Sequence, residues 1–241
     1  GGIPDDPAVM KDFIGRLFGS NDSLDAARQR MRSDWDRRAR ENAMHYIADF
    51  REEWKDVDEF FRTGEDDTAK FLAEAGWTPA MTEGTSLLEI GCGMGRMTRA
   101  LAGRFGHIVA VDVSAEMLVR AREANAHLQN VRFVQGDGCS FGDMPDDTFD
   151  FAISYIVFQH MPRAELIYQY IRDAIRVLKP GGRFRFQARN DFASRKPDTY
   201  DGDSIEIPRV KEIAARSGAT VVAVEGEGRH MCYVELRKNR D

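Results

Sequence analysis

Between Ser86 and Ala188, short runs rich in β-branched and aromatic residues alternate with stretches of helical periodicity. Most of these runs are apolar on both sides of the strand, which is typical of a parallel sheet covered by helices on both faces. Two β-rich runs near the end are joined by a short glycine-rich turn and must be antiparallel, because a parallel pair needs a long crossover. The pattern predicts a doubly wound α/β fold with a mostly parallel, seven-stranded sheet and an antiparallel last strand. The predicted strands are 86–90, 107–112, 131–135, 149–155, 182–188, 219–225 and 231–237.

The residues before the sheet have a different pattern. Ser23 is a good N-cap, and apolar residues recur at spacings of three and four from Leu24 to Ile47, which predicts one face of a long helix. A second helix is predicted near 57–62, where Gly64 ends it, and a third over about 65–75. We therefore predict a helical N-terminal extension over residues 1–64 and a sheet domain over residues 65–241.

Charge and cysteine content narrow the classes of partner. The formal net charge is −6, whereas proteins that bind nucleic acids usually present a basic face to the phosphates. One basic cluster lies on the predicted long helix, and we expect it to pair with the acidic stretch 49–67. The alternative is that it steers an anionic partner, but a polynucleotide substrate is disfavoured. The cluster consists of Arg28, Arg30, Arg32, Arg37, Arg38 and Arg40.

The apolar stretches, cysteines and histidines of the sequence indicate the cellular compartment and whether a metal site is expected. No apolar stretch approaches the roughly 20 residues of a membrane helix. The three cysteines form no CxxC pair, and the five histidines show no metal-ligand spacing. We expect a cytoplasmic protein with reduced thiols, without a metal site and without membrane contact.

The most informative motif is a glycine loop that follows the first predicted strand and opens a helix. Gly91, Gly93 and Gly95 alternate with other residues, which lets the backbone turn tightly and approach a ligand closely. Asp112 ends the second predicted strand, 21 residues after Gly91, where an acidic residue would bind the hydroxyls of a nucleoside ribose. The alternative is a tight strand-to-helix turn without a ligand.

Two classes of cofactor contain such a ribose. Dinucleotide binding favours the pattern G-x-G-x-x-G, which would place a glycine at position 96, but the chain has Arg96 there. The observed pattern is instead an acid, Glu89, two residues before the first of three alternating glycines. This difference argues against a nicotinamide-dependent oxidoreductase.

In these motifs and their order, residues 65–238 resemble the class I S-adenosylmethionine-dependent methyltransferases, which share a Rossmann-like fold. The resemblance extends to Gly136-Asp137-Gly138 after the third strand, to the segment 158–162 after the fourth, and to the turn 178–182 before the fifth. It implies methyltransferase activity, with S-adenosylmethionine as the cofactor and S-adenosylhomocysteine as the product.

The resemblance also implies a set of cofactor contacts. The glycine loop, organised by Glu89, would hold the methionine portion and the ribose, and Asp112 would bind both ribose hydroxyls. The loop 136–138 would approach the adenine amino group, although Asp137 could instead cap the following turn. The implied contacts are Tyr46, Glu89, Gly91, Cys92, Gly93, Arg96, Asp112, Val113, Met117, Gly136, Asp137, Gly138 and Ser154.

Methyl transfer requires an acceptor held in line with the methyl group and, for a protonated acceptor, a base. His160 is the first candidate, because it follows the carboxyl end of the fourth strand and titrates near neutrality. The alternative is a structural histidine that stabilises its own loop. His45 is the second candidate. It adjoins Tyr46 near the end of the long helix, in a segment that often covers the cofactor in relatives with such an extension.

The predicted acceptor is an oxygen or nitrogen of a small molecule, such as a natural product or a sugar. Residues 154–157 read Ser-Tyr-Ile-Val and lack the Asn/Asp-Pro-Pro-Tyr tetrad with which related enzymes methylate amino groups of adenine or glutamine. A protein or RNA methyltransferase and a non-catalytic S-adenosylmethionine-binding partner are the alternatives. The oligomeric state is left open.

Overall fold

The computed structural model describes residues 23–48, 54, 56–191 and 197–240. Seven strands form its single sheet, and each is assigned a label from β1 to β7 in chain order. They are β1 (Ser86–Ile90), β2 (His107–Asp112), β3 (Val131–Gln135), β4 (Phe149–Ser154), β5 (Leu178–Arg189), β6 (Ala219–Glu225) and β7 (Met231–Lys238). Their order in the sheet is β3-β2-β1-β4-β5-β7-β6.

The first five strands are parallel neighbours, whereas β7 runs antiparallel to both β5 and β6. This arrangement confirms the predicted doubly wound fold with its antiparallel last strand. The prediction that β5 begins at residue 182 was wrong. Leu178 already pairs with Phe149, and a register shift then carries the pairing on to Arg183 and Phe151.

Seven helices surround the sheet in the described ranges. They are α1 (Leu24–Ile47), α2 (Val57–Glu74), α3 (Pro79–Thr82), α4 (Arg96–Ala102), α5 (Ala115–Ala124), α6 (Ala164–Val177) and α7 (Ile207–Arg216), with a 3-10 helix at Phe158–His160. One apolar core joins α6 and α7 to Leu88 and Ile90 of β1. A second core joins α2 and α4 to Leu87 of β1 and Ile108 of β2. The alternation of side chains along β1 therefore builds a core on each face of the sheet.

Helix α1 begins as predicted, with the Ser23 hydroxyl accepting a hydrogen bond from the Ala26 amide at 3.2 Å. Near its end the helix is kinked at Asn42, whose backbone is not helical (φ −165°, ψ 85°). The Asn42 side chain accepts a hydrogen bond from the His45 amide at 3.2 Å, so it caps the short segment that follows. The kink separates this last turn from the long helix before it.

The prediction that Gly64 ends a helix was wrong, because α2 continues through it without interruption. A Cβ atom at Gly64 would lie 2.2 Å from the carbonyl oxygen of Arg96 at the start of α4. The glycine thus allows α2 and α4 to touch and is not a stop signal. The predicted domain boundary after residue 64 stays a prediction. Residues 1–22, 49–53 and 55 of the extension lie outside the described residues.

Three arginines of the basic cluster on α1 have partners in the described ranges, and the predicted pairing with the stretch 49–67 stays a prediction, because part of that stretch lies outside these ranges. In the described ranges, Arg37 pairs with Glu41 at 2.8 Å on the same helix, and Arg40 pairs with Glu116 of α5 at 3.2 Å. Arg32 donates to the carbonyl oxygen of Gly136 at 3.3 Å. Arg32 and Arg40 therefore attach α1 to the rest of the chain, whereas Arg37 pairs within the helix.

Candidate functional site

The glycine loop turns sharply where β1 ends. Gly91, Gly93 and Gly95 all have positive φ angles, of 76°, 53° and 79°, which side chains with a Cβ rarely adopt. The Gly91 and Cys92 amides donate to the carbonyl oxygen of Val111 on β2 at 2.7 and 3.0 Å. The loop is thereby fixed between the carboxyl ends of the two strands, where ligands bind in open α/β sheets.

Asp112 joins this loop to the end of β2. One carboxylate oxygen accepts a hydrogen bond from the Gly93 amide at 2.8 Å, and the other accepts one from the Ser114 amide at 2.9 Å. The protein packed around the carboxylate raises its pKa to about 6. Asp112 is thus ionised at neutral pH and already aligned by two backbone donors.

Glu89 and Arg96 lie on either side of the loop. The buried Glu89 carboxylate accepts a hydrogen bond from the Thr98 hydroxyl at 2.6 Å, and burial raises its pKa to about 7. Arg96 is 4% exposed and forms an ion pair with Asp67 at 2.7 Å. Its Nε atom is buried without a hydrogen-bond partner among the described residues. A buried donor without a partner is costly, so this atom favours a ligand with an acceptor oxygen.

A cavity opens above the loop and is covered by α1. Ten of the predicted site residues line it. They are Tyr46, Glu89, Gly91, Cys92, Gly93, Arg96, Asp112, Val113, Met117 and His160. The same wall contains side chains that the motifs did not indicate. They are Met31, Trp35, Ile47, Ile90, Met97, Val111, Ile153, Tyr155, Ile156, Val157, Met161 and Tyr170.

Helix α1 and the segment after β4 reach the glycine loop itself. A Cβ atom at Gly93 would lie 3.0 Å from the Ile47 side chain, and one at Gly91 would lie 2.3 Å from Val157. Met31 and Trp35 belong to the apolar face that the sequence predicts for α1, so a signal for them existed. It indicates a buried face but does not distinguish a packed core from the wall of a cavity.

The loop 136–138 is not part of the cavity lining. Asp137 accepts hydrogen bonds from the Cys139 and Ser140 amides at 2.8 and 2.7 Å, which is the turn-capping alternative. Gly138 is covered by α1, because a Cβ atom there would lie 3.0 Å from the Met31 side chain. Contacts of Gly136, Asp137 and Gly138 with the adenine stay predictions.

Ser154 and His45 also lie outside the lining. The Ser154 side chain is fully buried at the end of β4, and its hydroxyl has no hydrogen-bond partner among the described residues. The His45 ring packs edge-on against Tyr46 at 5.1 Å, and only Tyr46 reaches the cavity. The structure therefore separates the two catalytic candidates: His160 adjoins the cavity, whereas His45 does not.

His160 is buried beside the cavity, and both ring nitrogens have partners. Nδ1 lies 2.5 Å from the carbonyl oxygen of Tyr200, and Nε2 lies 3.3 Å from the side-chain amide nitrogen of Gln159. Burial lowers the pKa of the ring to about 4, so the ring is neutral at pH 7. A carbonyl can only accept, so the single proton lies on Nδ1 and the lone pair lies on Nε2.

Within the described ranges, no helix is long and apolar enough to cross a bilayer. Nor do three or more His, Cys, Asp and Glu side chains gather there in a group that could hold a metal ion. Cys92, Cys139 and Cys232 are buried and free of disulfides. Burial raises the pKa of the Cys92 thiol, so it stays protonated beside the loop.

Comparison with known proteins finds similar sequences for the part of the chain that carries the glycine loop. Residues 87–182 match the family model of a methyltransferase domain. The 2-methyl-6-phytyl-1,4-hydroquinone methyltransferase of Synechocystis sp. is 30% identical over 112 residues, which are 46% of this chain and 34% of that protein. The demethylmenaquinone methyltransferase of Tropheryma whipplei is 33% identical over 121 residues, 47% of this chain and 48% of that protein. The aligned region thus spans less than half the length of either relative.

A solved structure extends the likeness to the fold. The magnesium protoporphyrin IX methyltransferase of Synechocystis PCC 6803, solved with bound S-adenosylhomocysteine, is 15% identical and superposes with a TM-score of 0.63. The match covers 88% of this chain and 100% of that one. The family match thus shows that residues 87–182 are similar to a methyltransferase domain, and the superposition shows that the chain has the fold of the class I S-adenosylmethionine-dependent methyltransferases.

Proposed function

We propose that this protein transfers the methyl group of S-adenosylmethionine to an oxygen or nitrogen of a small, largely apolar molecule. The observation that carries the proposal is the pairing of the glycine loop with Asp112 at the floor of a cavity roofed by α1. When bound, the cofactor supplies a methyl group on a sulfonium. The acceptor's lone pair forms the new bond as the carbon–sulfur bond breaks, which leaves S-adenosylhomocysteine.

The residues of the floor fit this cofactor. The ionised Asp112 offers acceptor oxygens to ribose hydroxyls, and charged acceptors form the stronger hydrogen bonds. The unpartnered Nε of Arg96 offers a donor to the carboxylate of the methionine portion. The apolar side chains of Val113 and Met117 offer a surface for the adenine.

The composition of the upper wall of the cavity supports the proposal that the acceptor is a small molecule. It is mainly aromatic and apolar, and its polar atoms are few, as is usual for small-molecule sites. Its residues are Trp35, Tyr46, Tyr155, Ile156, Met161 and Tyr170. Both curated relatives act on small quinone-type molecules by name, but the family match ends at residue 182 and leaves out α1. Their acceptors therefore support the class of substrate and not its identity.

The arginines of α1 argue against the nucleic-acid alternative. A polynucleotide site would leave such cations available for phosphates. Arg28, Arg32, Arg37, Arg38 and Arg40 all donate hydrogen bonds within the described chain. The geometry thus favours a small acceptor over RNA.

His160 is the proposed base. His160 lines the cavity, and we infer that an acceptor's O–H or N–H approaches its Nε2 lone pair there and replaces the long contact to Gln159. The proton that the acceptor loses would pass to Nε2 and then to water. A ring that was already protonated could not accept it.

Calorimetric titration with S-adenosylhomocysteine tests the cofactor, with NAD as a parallel control. The expected result is micromolar affinity for S-adenosylhomocysteine and no measurable heat with NAD. Absence of binding below millimolar concentration would overturn the proposal, and binding of NAD alone would indicate an oxidoreductase. A screen of phenols, carboxylates and amines with labelled S-adenosylmethionine then separates an enzyme from a protein that only binds the cofactor.

A further inference from the structure

The turn 198–203 lies against the segment that carries His160. Within the turn, Asp198 accepts hydrogen bonds from the Tyr200 and Asp201 amides at 2.6 and 2.7 Å. The Gly202 amide donates to the carbonyl oxygen of Gln159 at 2.8 Å. The turn is therefore fixed, on one side, to the residue next to His160.

On its other side the turn is held by α1. Arg38 donates through Nη1 to the carbonyl oxygen of Thr199 at 2.7 Å and through Nη2 to the Thr199 hydroxyl at 3.1 Å. The same hydroxyl donates to Asp34 at 2.6 Å. Thr199 thus accepts hydrogen bonds from both terminal nitrogens of the Arg38 guanidinium. Because the guanidinium is planar, these two bonds fix the orientation of Thr199 as well as its distance from Arg38.

The Arg38 contact is buried. Its side chain is 6% exposed, and the guanidinium carbon lies 4.9 Å from the ring centroid of Trp35 and 5.4 Å from that of Tyr200. Burial lowers the pKa of Arg38, as expected for a cation removed from water. An arginine held in this way is a fixed support for the turn, unlike the exposed pair of Arg37 and Glu41.

Tyr200 follows Thr199 directly, and its carbonyl oxygen is the atom that receives the His160 Nδ1 proton. A hydrogen bond at one ring nitrogen decides which tautomer a neutral histidine adopts. Helix α1 is therefore connected to the His160 imidazole through Thr199 and Tyr200, two adjacent residues of one turn. Burial and the charges of Arg38 and Arg189 keep the ring neutral.

We propose that Arg38 is a positioning residue for His160: by holding Thr199 it places the Tyr200 carbonyl on Nδ1 and so directs the Nε2 lone pair to the acceptor. The inference rests on the proposed function, because the lone pair serves an acceptor that presents an O–H or N–H group. It makes the proton acceptor of the sheet domain dependent on the N-terminal extension. A general structural contact would stabilise the fold without fixing a tautomer.

The tautomer can be measured directly. Long-range proton–nitrogen NMR correlations in the ¹⁵N-labelled protein distinguish the two ring nitrogens, and the His160→Gln variant assigns the signals. The wild-type ring is expected to be fully in the Nδ1–H form. Arg38→Gln is expected to give a mixture of both tautomers, and Thr199→Val a smaller shift in the same direction because it retains the backbone contact. Thr199→Ser is the matched control, since it keeps the hydroxyl, and is expected to match the wild type.

Each outcome decides the proposal. A wild-type ring protonated on Nε2 overturns it, and so does an unchanged tautomer in both Arg38→Gln and Thr199→Val. Should Arg38→Gln fail to unfold cooperatively, the two Thr199 variants decide, because valine and threonine have nearly the same shape. S-adenosylhomocysteine titration of the wild type separately tests the proposed function, so failure of the cofactor site is distinguishable from failure of the positioning.

Discussion

The floor and the upper wall of the cavity are built in different ways. The floor comes from one stretch of chain, residues 89–117, in which backbone amides and two strand ends place the ligand-facing groups. The upper wall takes side chains from α1, from the segment after β4 and from α6. A floor of backbone atoms tolerates changes in most side chains, whereas a wall of side chains can be rebuilt for another molecule. A floor of this kind can therefore be combined with different upper walls.

The strongest way to test this contrast is to remove the proposed base from the wall. His160→Gln is expected to lower kcat by roughly 10²–10⁴-fold, the usual contribution of general base catalysis. The affinity for S-adenosylhomocysteine should change far less. The measurement is steady-state turnover with an acceptor that the wild type methylates. Equal turnover in both proteins would leave His160 a structural residue.

The same variant should reveal the cost of burying a neutral histidine. The pKa of His160 is about 4 in the folded chain against an ordinary value of 6.5, so between these values only the unfolded chain takes up the proton. The contribution of the neutral ring to the free energy of unfolding is therefore fully present above pH 6.5. It is lost as the pH falls toward 4, and the loss amounts to about 3 kcal/mol. Denaturant unfolding at several pH values should show His160→Gln losing less stability over this range. Parallel curves for the two proteins would contradict the assigned pKa.

On the floor, Asp112→Ala is expected to weaken S-adenosylhomocysteine binding by about 1.5–3 kcal/mol, the value of a hydrogen bond to a charged group. Because the pKa of Asp112 is about 6, wild-type affinity should also fall as the pH drops below that value. Calorimetry measures both effects. Asp150→Asn is the matched control, since this carboxylate also accepts from a backbone amide, at 2.9 Å from Ser86, but lies at the opposite end of the sheet. If Asp112→Ala binds S-adenosylhomocysteine as tightly as the wild type does, Asp112 does not bind the ribose hydroxyls.

The smallest expected effect concerns the packing of α2 against α4, which is tested through the free energy of unfolding. Gly64→Ala would place a Cβ atom 2.2 Å from the Arg96 carbonyl oxygen, and overpacking of this kind costs about 1–3 kcal/mol. Gly103→Ala is the control, because its Cβ atom would meet only the Ala100 carbonyl oxygen at an ordinary 3.7 Å. Urea unfolding compares the two. Equal stability would show that α2 can move away from α4 without cost.

The sequence predicted the sheet well because strand periodicity and glycine turns are local signals. The bounds of β1, β2 and β3 agree with the prediction, and the glycine loop and Asp112 meet as their spacing indicated. Gly64 was misinterpreted because a glycine needed for close helix packing looks, in sequence, like a helix stop. No local pattern connects Arg38 with Thr199, since that contact depends on how α1 packs against the rest of the chain. Contacts of this kind between distant parts of the chain can therefore be identified only in the structure.

The kink at Asn42 has a consequence for redesign. It divides α1 into a long segment, which the Asp36 carboxylate ties to α5 through Ser114, and a single turn that carries Tyr46 and Ile47 over the glycine loop. The two cavity residues of this turn lie on the far side of the kink from the Asp36 anchor, so their side chains can be changed without altering the anchor itself. Libraries of variants restricted to Tyr46 and Ile47 would therefore sample new cavity shapes and leave Ala43 in its apolar core.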